Sequence, residues 1–430
     1  MVGERFGIVA ARVVTGRSDE VLRDAVVWIE GGKIVDVSTT GAPQAGRGAP
    51  TVVRYDGGTI LPGLVDAHVH LTMRRGETSL EHMTRVSDEQ ALLRGVEAAG
   101  RILGAGVTTV RDCAGRGRLV QALRDGVRDG LIAGPRILAS GPPVTTTAGH
   151  LWPLGYEADT ADEARRAVRR LVKEDVDFIK VCATGGGMTP GSVVGRAQYA
   201  TAELQAVVED AHRLQRPVAA HAHGTAGIAA AVAAGVDTVE HVSWLDASGT
   251  SQAFDEAVAR RMASQGTVAC IASSPPPSLL AAGPTAGAGQ GQQAAPEAAT
   301  ALTGGRRPTL ARWEHARRML ELGVPVCFAT DAVYGWWADF HDLSYLAQAL
   351  VEVGGFPPYD VLRMITAVPA QAIGWGDRLG TIETGKLADL LVVDGDPLQD
   401  VRALRAVRAV YQAGVLASGG GAPRGGSPSS

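Results

Sequence analysis

Two His-x-His pairs each end an apolar, strand-like segment of this 430-residue chain. His68 and His70 follow the residues GLVDA, and His221 and His223 follow PVAA. With 10 histidines in the chain, about 0.2 such pairs are expected by chance. Because residues i and i+2 of a strand point to the same face, each pair directs two imidazoles towards one point, as a shared metal ion requires. The alternative is that each pair is half-buried and satisfied by hydrogen bonds.

Other predicted strands also end in polar residues that bind metals or react. Lys180 lies near the end of VDFIKV, His241 ends GVDTVEH, and Asp331 ends GVPVCFATD. Imidazoles and carboxylates are suitable ligands for zinc or a related divalent ion, so we expect these side chains to share one site. An ammonium group would be repelled by such cations, so we expect a buried Lys180 to be neutral and nucleophilic.

The elements that carry these residues are short apolar strands that alternate with amphipathic helices. Two helix starts are marked by capping-box sequences, SDEQ at 87–90 and TADE at 160–163. Eight strand–helix units predict an α/β fold with a (β/α)8 TIM-like barrel, whose chemistry lies at the carboxyl ends of the strands. A doubly wound open sheet is the alternative. The eight predicted strands are GTILPGLVDAHVH, GVTTVRD, PRILAS, VDFIKV, RPVAAHAH, GVDTVEH, GTVACIA and VPVCFATD.

Both ends of the chain have the pattern of paired β-strands, which defines the predicted domains. We expect residues 1–61 and 378–418 to build one small β-sandwich domain and residues 62–377 to form the barrel. Residues 419–430 are predicted to be a disordered tail. The segment 273–307 is rich in Pro, Gly, Ala and Gln, and is interpreted either as a mobile lid over the site or as an insertion without function.

Composition argues against several other classes of protein. Forty-one basic and 45 acidic residues leave a net charge of -4 without a long block of either sign, so we expect no nucleic-acid partner and no membrane surface as a partner. The sequence contains no apolar run of membrane-spanning length and no secretory leader pattern, which predicts a cytoplasmic protein. The four cysteines are far apart in sequence, which favours buried reduced thiols over disulfides or a cysteine-based zinc site.

The chain resembles the amidohydrolase superfamily along nearly its whole length. The resemblance rests on LPGLVDAHVHL, FIKVCATGG, VAAHAHG, VEHVSW and FATDAV at five strands, and on the closing segment ETGKLADLLVVDGDP. It implies the binuclear branch of the superfamily, in which a lysine reacts with carbon dioxide to give a carbamate that bridges two metal ions.

The resemblance also implies a ligand for each metal position. One divalent ion is assigned to His68, His70 and Asp331. The other is assigned to His221 and His241, and the carboxylated Lys180 is shared between the two ions. Zinc is the favoured metal. Two divalent ions, the carbamate, Asp331 and a bridging hydroxide together leave about one net positive charge, which would attract a carbonyl oxygen.

From this arrangement we expect hydrolysis of an amide or peptide C–N bond. A metal-bridging hydroxide would attack the carbonyl, and Asp331 would act first as general base and then as general acid. The run from Thr145 to His150, KVCATGGG and HAHG are most similar to prolidase-like and carboxypeptidase-like members of the superfamily. These release a C-terminal amino acid from a dipeptide such as Xaa-Pro or from an N-acyl amino acid, which predicts a small-molecule substrate.

Two other functions are weighed against this one. The first is hydrolysis of a cyclic amide or imidazolone-type ring, or a deamination, at the same metals; deaminases usually omit the carbamate lysine, so Lys180 argues against them. The second, of another class, is a catalytically silent scaffold protein of the same fold. Such proteins characteristically lose metal ligands, whereas all six positions are filled here. A homo-oligomer is left open.

Further residues are candidates for contact with the substrate. His223 is not needed as a ligand, so we expect it to touch the substrate and to take part in catalysis. A cationic His150 or Arg196 would bind a substrate carboxylate, although an ordinary loop role is equally compatible with His150.

Residues with no ligand role are also predicted near the site. Arg111 and Asp112 end the second strand and are predicted to form an ion pair, either close to the metals or purely structural. We expect Trp336 and Trp337 either to line an apolar substrate pocket or to cap the rim of the barrel.

Overall fold

The computed structural model of the chain describes residues 4–39, 50–74, 85–273, 279–280, 306–334 and 342–419. Three of the predictions lie outside these residues: the pocket role of Trp336 and Trp337, most of the 273–307 segment, and the tail beyond residue 419. The described residues form a mixed α/β architecture with one mixed sheet and two parallel sheets.

The strands are β1 (Phe6–Val14), β2 (Val21–Arg23), β3 (Val26–Glu30), β4 (Lys33–Ser38), β5 (Thr51–Pro62), β6 (Leu64–Arg74), β7 (Val107–Asp112), β8 (Arg136–Ala139), β9 (Val144–Thr145), β10 (Tyr156–Glu157), β11 (Ile179–Cys182), β12 (Val218–Gly224), β13 (Thr238–Leu245), β14 (Val268–Ala272), β15 (Val326–Ala329), β16 (Ala332–Tyr334), β17 (Leu390–Asp394), β18 (Val407–Gln412) and β19 (Val415–Ser418). The α-helices are α1 (Asp88–Gly104), α2 (Leu119–Arg128), α3 (Ala161–Lys173), α4 (Thr201–Arg213), α5 (Thr225–Ala234), α6 (Glu256–Gln265), α7 (Arg306–Glu321), α8 (Asp342–Glu352), α9 (Pro358–Met364) and α10 (Ala367–Ala372). A 3₁₀ helix covers Val401–Arg405.

The first five strands and the last three share one sheet. Its order is β19-β18-β17-β5-β1-β3-β4, with β2 beside β1. Strand β5 pairs with β1 from the start of the chain and with β17 from its end. The β3–β4 hairpin turns through Gly31 and Gly32, whose φ angles of 58° and 78° are accessible to glycine without strain. Both chain ends therefore meet in one sheet, and the sandwich form and the domain bounds stay predictions.

The eight predicted strands of the central region are present, and the first of them is divided. GTILPGLVDAHVH contributes to β5 in the mixed sheet and to β6 in a parallel sheet. The break is at Gly63, where an added Cβ would lie 2.2 Å from Thr108 Oγ1. Because a side chain at this position would collide with β7, glycine allows the chain to pass from one sheet to the next.

The two parallel sheets have the orders β10-β9-β11-β12-β13-β14-β15 and β16-β6-β7-β8. Their strands are buried along nearly their whole length, as expected for parallel strands covered by helices. Backbone hydrogen bonds link the sheets at both sides, from Asp331 N–H to the His68 carbonyl at 2.9 Å and from Asp177 N–H to the Ala139 carbonyl at 2.8 Å. This arrangement is consistent with a TIM-like barrel.

The helix boundaries follow the predicted capping signals. Thr160 and Glu163 form the reciprocal bonds of a capping box at the start of α3, and the Ser87 hydroxyl accepts the Gln90 N–H at the start of α1. Gly235 ends α5 in the left-handed conformation at φ 87°, as a glycine C-cap should. These caps fix where the helices between the parallel strands begin and end.

The four cysteines are buried free thiols, as predicted. Within the part of the chain that the structure describes, no helix combines the length and the apolar character needed to cross a bilayer.

Candidate metal centre

Strand β6 and the turn after β15 bring three predicted ligands together. His68 and His70 point to the same face, and their Nε2 atoms lie 3.5 Å and 3.3 Å from Asp331 Oδ1. Potential ligand atoms of all three residues lie within 4.8 Å of one another. The imidazoles are buried, whereas the Asp331 side chain is 28% exposed, so the group is open to a small molecule on the Asp331 side.

Strands β12 and β13 bring a second group together. It contains His221, His223 and His241, whose ligand atoms also lie within 4.8 Å of one another. The His221 ring is 4.7 Å from the His223 ring and 4.6 Å from the His241 ring. The sequence-based assignment used only His221 and His241 as ligands, and the structure places a possible ligand atom of His223 within the same range.

His241 joins the two groups. Its ring lies 4.9 Å from that of His68. Regular strand alternation would send Glu240 and His241 to opposite faces of β13, yet Glu240 Oε2 also reaches His68, at 2.7 Å from Nδ1. The φ angle of 67° at His241 interrupts the alternation, in a left-handed region that histidine tolerates better than most residues. Both side chains therefore reach the same interior.

Lys180 lies on β11, next to β12 in the same sheet. It is 1% exposed and is one of the largest fully buried side chains. Among the residues that the structure describes, Lys180 has neither a hydrogen-bond nor an ion-pair partner, and its positive charge acts on the surrounding histidines. Burial of this depth without an anionic partner is unusual for a lysine, and the role of Lys180 as a shared metal ligand stays a prediction.

A carboxylate that sequence reasoning missed orients His68. Glu240 is fully buried and accepts hydrogen bonds from Arg111 Nη2 at 2.6 Å and from Thr238 Oγ1 at 2.6 Å. Although burial opposes ionisation, the Arg111 charge holds the pKa of Glu240 below its ordinary value. The sequence had suggested an ion pair between Arg111 and Asp112, but Arg111 pairs with Glu240 instead. Asp112 accepts the backbone N–H groups of Leu71 and Ala114.

The hydrogen bonds fix which nitrogen of three imidazoles carries a proton. Ionised Glu240 can only accept, so His68 Nδ1 donates to it. The carbonyl of Ala272 likewise accepts from His241 Nδ1 at 3.0 Å, and that of Gly185 from His221 Nε2 at 3.1 Å. Each ring therefore has a lone pair on its other nitrogen, which is the arrangement that metal-ligating histidines require.

The protonation states and the unpaired atoms also fit divalent metal ions. Burial, together with neighbouring positive groups, lowers the pKa of His68, His221, His223 and His241 well below the ordinary value. Neutral imidazole is the form that binds metal. The lone pair of His68 Nε2 faces the acceptor Asp331 Oδ1 at 3.5 Å, and two facing acceptors are stabilised by a cation between them.

Asp331 is held by its own chain neighbours. Its φ angle is 55°, a conformation that aspartate adopts more readily than most residues. The preceding Thr330 donates from Oγ1 to Asp66 Oδ2 at 2.6 Å, and burial raises the pKa of Asp66 to about 6. Asp66, two residues before His68, therefore connects the turn after β15 to β6, and it was not singled out in the sequence.

The predicted substrate residues have different locations. His150 is buried with its ring 4.4 Å from that of His221, and its Nδ1 lies 3.2 Å from Thr189 Oγ1. Burial, with Lys180 and His70, lowers its pKa to about 3. His223 Nδ1 lies 2.8 Å from Ser243 Oγ. Arg196 is exposed, and its backbone forms hydrogen bonds with Gly185 and Val193 within its loop.

The residues that sequence reasoning missed share one property. Glu240, Asp66 and Ser243 are each one or two residues from a predicted ligand, but a strand pattern alone does not show which distant group each of them contacts. A fourth, Arg312 on α7, is 5% exposed, and its only sequence signal is an arginine on the apolar face of a helix.

Comparison with known proteins extends this picture. Residues 59–271 and 310–417 match the amidohydrolase family. Ochratoxinase of Aspergillus niger is 30% identical over 395 residues, which are 84% of this chain and 76% of that protein. Imidazolonepropionase of Micrococcus luteus is 28% identical over 421 residues, covering 87% of this chain and 88% of that protein.

Solved structures show the same similarity. A Xaa-Pro dipeptidase with methionine bound in its active site superimposes with a TM-score of 0.78 at 27% identity, over 96% of this chain and 99% of that one. The structure of A. niger ochratoxinase superimposes with a TM-score of 0.80 at 26% identity, over 97% and 96% of the two chains.

Proposed function

The chain belongs to the amidohydrolase family, and we propose that it hydrolyses an amide or peptide C–N bond of a small substrate at two divalent metal ions. The substrate class is an N-acyl amino acid or a dipeptide such as Xaa-Pro. The observation that carries this proposal is that the Nε2 atoms of His68 and His70 face the Asp331 carboxylate across 3.3–3.5 Å. Similarity to an ochratoxinase and to a Xaa-Pro dipeptidase supports the bond type.

Six residues would hold the metals. His68, His70 and Asp331 would bind one ion, and His221 and His241 the other. Lys180, carboxylated by carbon dioxide, would be shared; its burial without a partner supports this role. Zinc suits the imidazole-rich ligand set. Divalent ions at this position would supply Lewis acidity that polarises the scissile carbonyl and lowers the pKa of water.

The protein's own residues would transfer the protons. Asp331 is the exposed member of the group, so its carboxylate can take a proton from the attacking water and return it to the leaving nitrogen. The ring of His223 stacks on that of His241 at 4.5 Å, next to the candidate metal centre. His223 is proposed to contact the substrate near its scissile carbonyl. His150 lies against His221 and would border the substrate.

A ring hydrolase is the second candidate. The similarity to imidazolonepropionase over 87% of this chain favours it. A buried Lys180 and the presence of every predicted ligand favour the amide hydrolase, and argue against a deaminase or a silent scaffold.

Metal analysis followed by a substrate screen tests the proposal. The purified protein is expected to contain about two divalent ions per chain, and to release a free amino acid from N-acyl amino acids or from Xaa-Pro dipeptides. Activity confined to cyclic amides or imidazolones would establish the second candidate instead. A protein without metal after zinc and bicarbonate are supplied, and inactive on every substrate, would refute both.

The remaining expectations stay predictions from the sequence. They are a cytoplasmic location, a small-molecule substrate with no nucleic-acid or membrane partner, and a homo-oligomer as an open possibility.

A further inference from the structure

Helix α7 carries a buried arginine on the face that packs against the parallel strands. Thr309, Arg312, Ala316 and Met319 are all buried, at the three- and four-residue spacing of one helix face. Arg312 is 5% exposed. Arginine is almost never this deeply buried unless it is paired, so its position requires an explanation.

Arg312 has no such pair in the described residues. Its buried Nε makes no hydrogen bond, and none of its nitrogens has an ion-pair or hydrogen-bond partner in the part of the chain that the structure describes. Burial lowers the pKa of Arg312 to about 10, with the carboxylate of Asp331 acting against this change. The guanidinium is therefore still charged at neutral pH, and an unpaired buried charge is strongly unfavourable.

The helix places Arg312 at the level of the candidate metal centre. Helix α7 runs antiparallel to β15, which follows it after a four-residue connection. Arg312 is nine residues before the helix end, or about 14 Å along the axis. Strand β15 ends at Ala329, three residues after its start, or about 10 Å along the strand, and Asp331 lies in the turn just beyond it. The two residues thus have similar heights above the α7–β15 connection, at the carboxyl ends of the strands.

Electrostatic effects agree with this placement. Burial is the largest cause of the lowered pKa of His223, the charge of His221 is the second, and the charge of Arg312 is the third. The charge of Arg312 thus acts on His223, a predicted substrate-contact residue, and the charge of Asp331 acts on Arg312.

We propose that Arg312 binds a carboxylate of the substrate and makes the enzyme specific for amides that carry a free carboxylate, such as N-acyl amino acids. This inference rests on the proposed function. A guanidinium accommodates a carboxylate through two parallel charge-assisted hydrogen bonds. Substrate binding would then supply the anion that the buried arginine lacks. Arg196, considered for this role from the sequence, is exposed, and His150 already shares its Nδ1 with Thr189.

The test compares two ligands in four forms of the zinc-loaded enzyme. The ligands are the best N-acetyl-L-amino acid from the screen and its neutral analogue with hydrogen in place of the carboxylate. The forms are wild type, Arg312→Met, Arg312→Lys and the control Arg317→Met, whose arginine is on the same helix but pairs with exposed Glu314. Wild type and the control should prefer the acid by roughly 10- to 100-fold in kcat/KM.

Arg312→Met should lose this preference through a raised KM for the acid, with little change for the neutral analogue, and Arg312→Lys should restore part of it. A merely structural role would change kcat/KM for both ligands equally and would show in thermal unfolding. An unchanged preference in Arg312→Met would overturn the proposal.

A binding measurement separates this proposal from the proposed function. Calorimetric titration of N-acetyl-L-amino acids into the zinc-loaded Asp331→Asn variant, with and without Arg312→Met, does not depend on turnover. Tight binding of an acid that is lost only with Arg312→Met would support the carboxylate site even if no amide is hydrolysed. Equal affinity in both variants, or binding by none of the acids, would overturn it while leaving hydrolysis of uncharged amides open.

Discussion

At the residue scale, the candidate metal centre depends on the second nitrogen of each imidazole. Glu240, the Ala272 carbonyl and the Gly185 carbonyl each accept from one ring nitrogen, and so each leaves a lone pair on the other. Sequence spacing predicted that the rings converge; these three acceptors decide how the rings are turned.

Asp331→Asn should abolish proton transfer without removing the metal. The amide cannot act as a general base, so turnover should fall by about 10²–10⁴-fold, while His68 and His70 still bind. Metal content by mass spectrometry and steady-state kinetics check this prediction. Near-normal turnover in the metal-loaded variant would exclude Asp331 as the proton carrier.

Glu240→Gln tests the carboxylate behind His68. The change leaves the buried Arg111 charge without its 2.6 Å partner, which should lower the free energy of unfolding by about 3 kcal/mol. It should also weaken metal binding by roughly 10- to 100-fold, because His68 loses the group that orients it. Denaturant unfolding and competition with a chelator measure the two effects.

A matched control for this variant is Glu209→Gln. Glu209 forms an ion pair with Arg165 at 3.5 Å, and its side chain is 69% exposed. Such surface pairs contribute about 0–1 kcal/mol, so stability and metal affinity should barely change. Equal losses in the two variants would contradict a special role for Glu240.

At the element scale, the loop after β11 is packed backbone to backbone against its neighbours. An added Cβ at Gly224, where β12 ends and α5 begins, would lie 2.0 Å from the Gly195 carbonyl oxygen. One at Gly195 would lie 1.8 Å from the Asp246 carbonyl oxygen. The same loop contains Gly185, whose carbonyl orients His221. Glycine here allows a functional loop to lie directly on the strand ends.

Gly224→Ala should therefore both destabilise the protein and reduce activity. Overpacking against backbone atoms that cannot give way costs about 1–3 kcal/mol or more, and displacement of the loop would turn His221. The control is Gly100→Ala in helix α1, where the nearest atom to an added Cβ is at 4.0 Å; it should be neutral or slightly stabilising. Thermal unfolding and kcat/KM for the two variants decide between these outcomes.

At the scale of the whole molecule, the six predicted ligands come from four parallel strands and from the turn after a fifth, so a bound metal would link distant parts of the chain. A ligand that binds only the folded state raises the free energy of unfolding, by about 2.7 kcal/mol when the free ligand concentration is 100 times Kd.

Removal of metal should accordingly lower the Tm of the wild type, and zinc should restore it. The variant His68→Ala lacks one ligand and should show a smaller response, or none, to both treatments. Differential scanning calorimetry at fixed protein concentration measures this. A wild-type Tm indifferent to chelator and zinc, or a full response in His68→Ala, would contradict the predicted ligand set.

The sequence by itself determined the strands, the helix caps and the convergence of the ligands. His68, His70 and His221 could be predicted because strand period, apolar pattern and turn residues are local properties of the chain. The same local patterns, with the resemblance to a known superfamily, were sufficient to indicate the reaction class. Side chains that follow one strand period need no tertiary information to be placed on one face.

The tertiary structure decided what depends on contacts between distant segments. Only the fold shows that the left-handed turn at His241 directs both Glu240 and His241 inward, that Arg111 pairs with Glu240 across two strands, and that Arg312 is buried without a partner. These features arise from three-dimensional proximity of distant residues, such as Arg111 and Glu240 at 129 positions apart, or from a backbone angle that breaks the strand period. Neither is encoded in a local pattern.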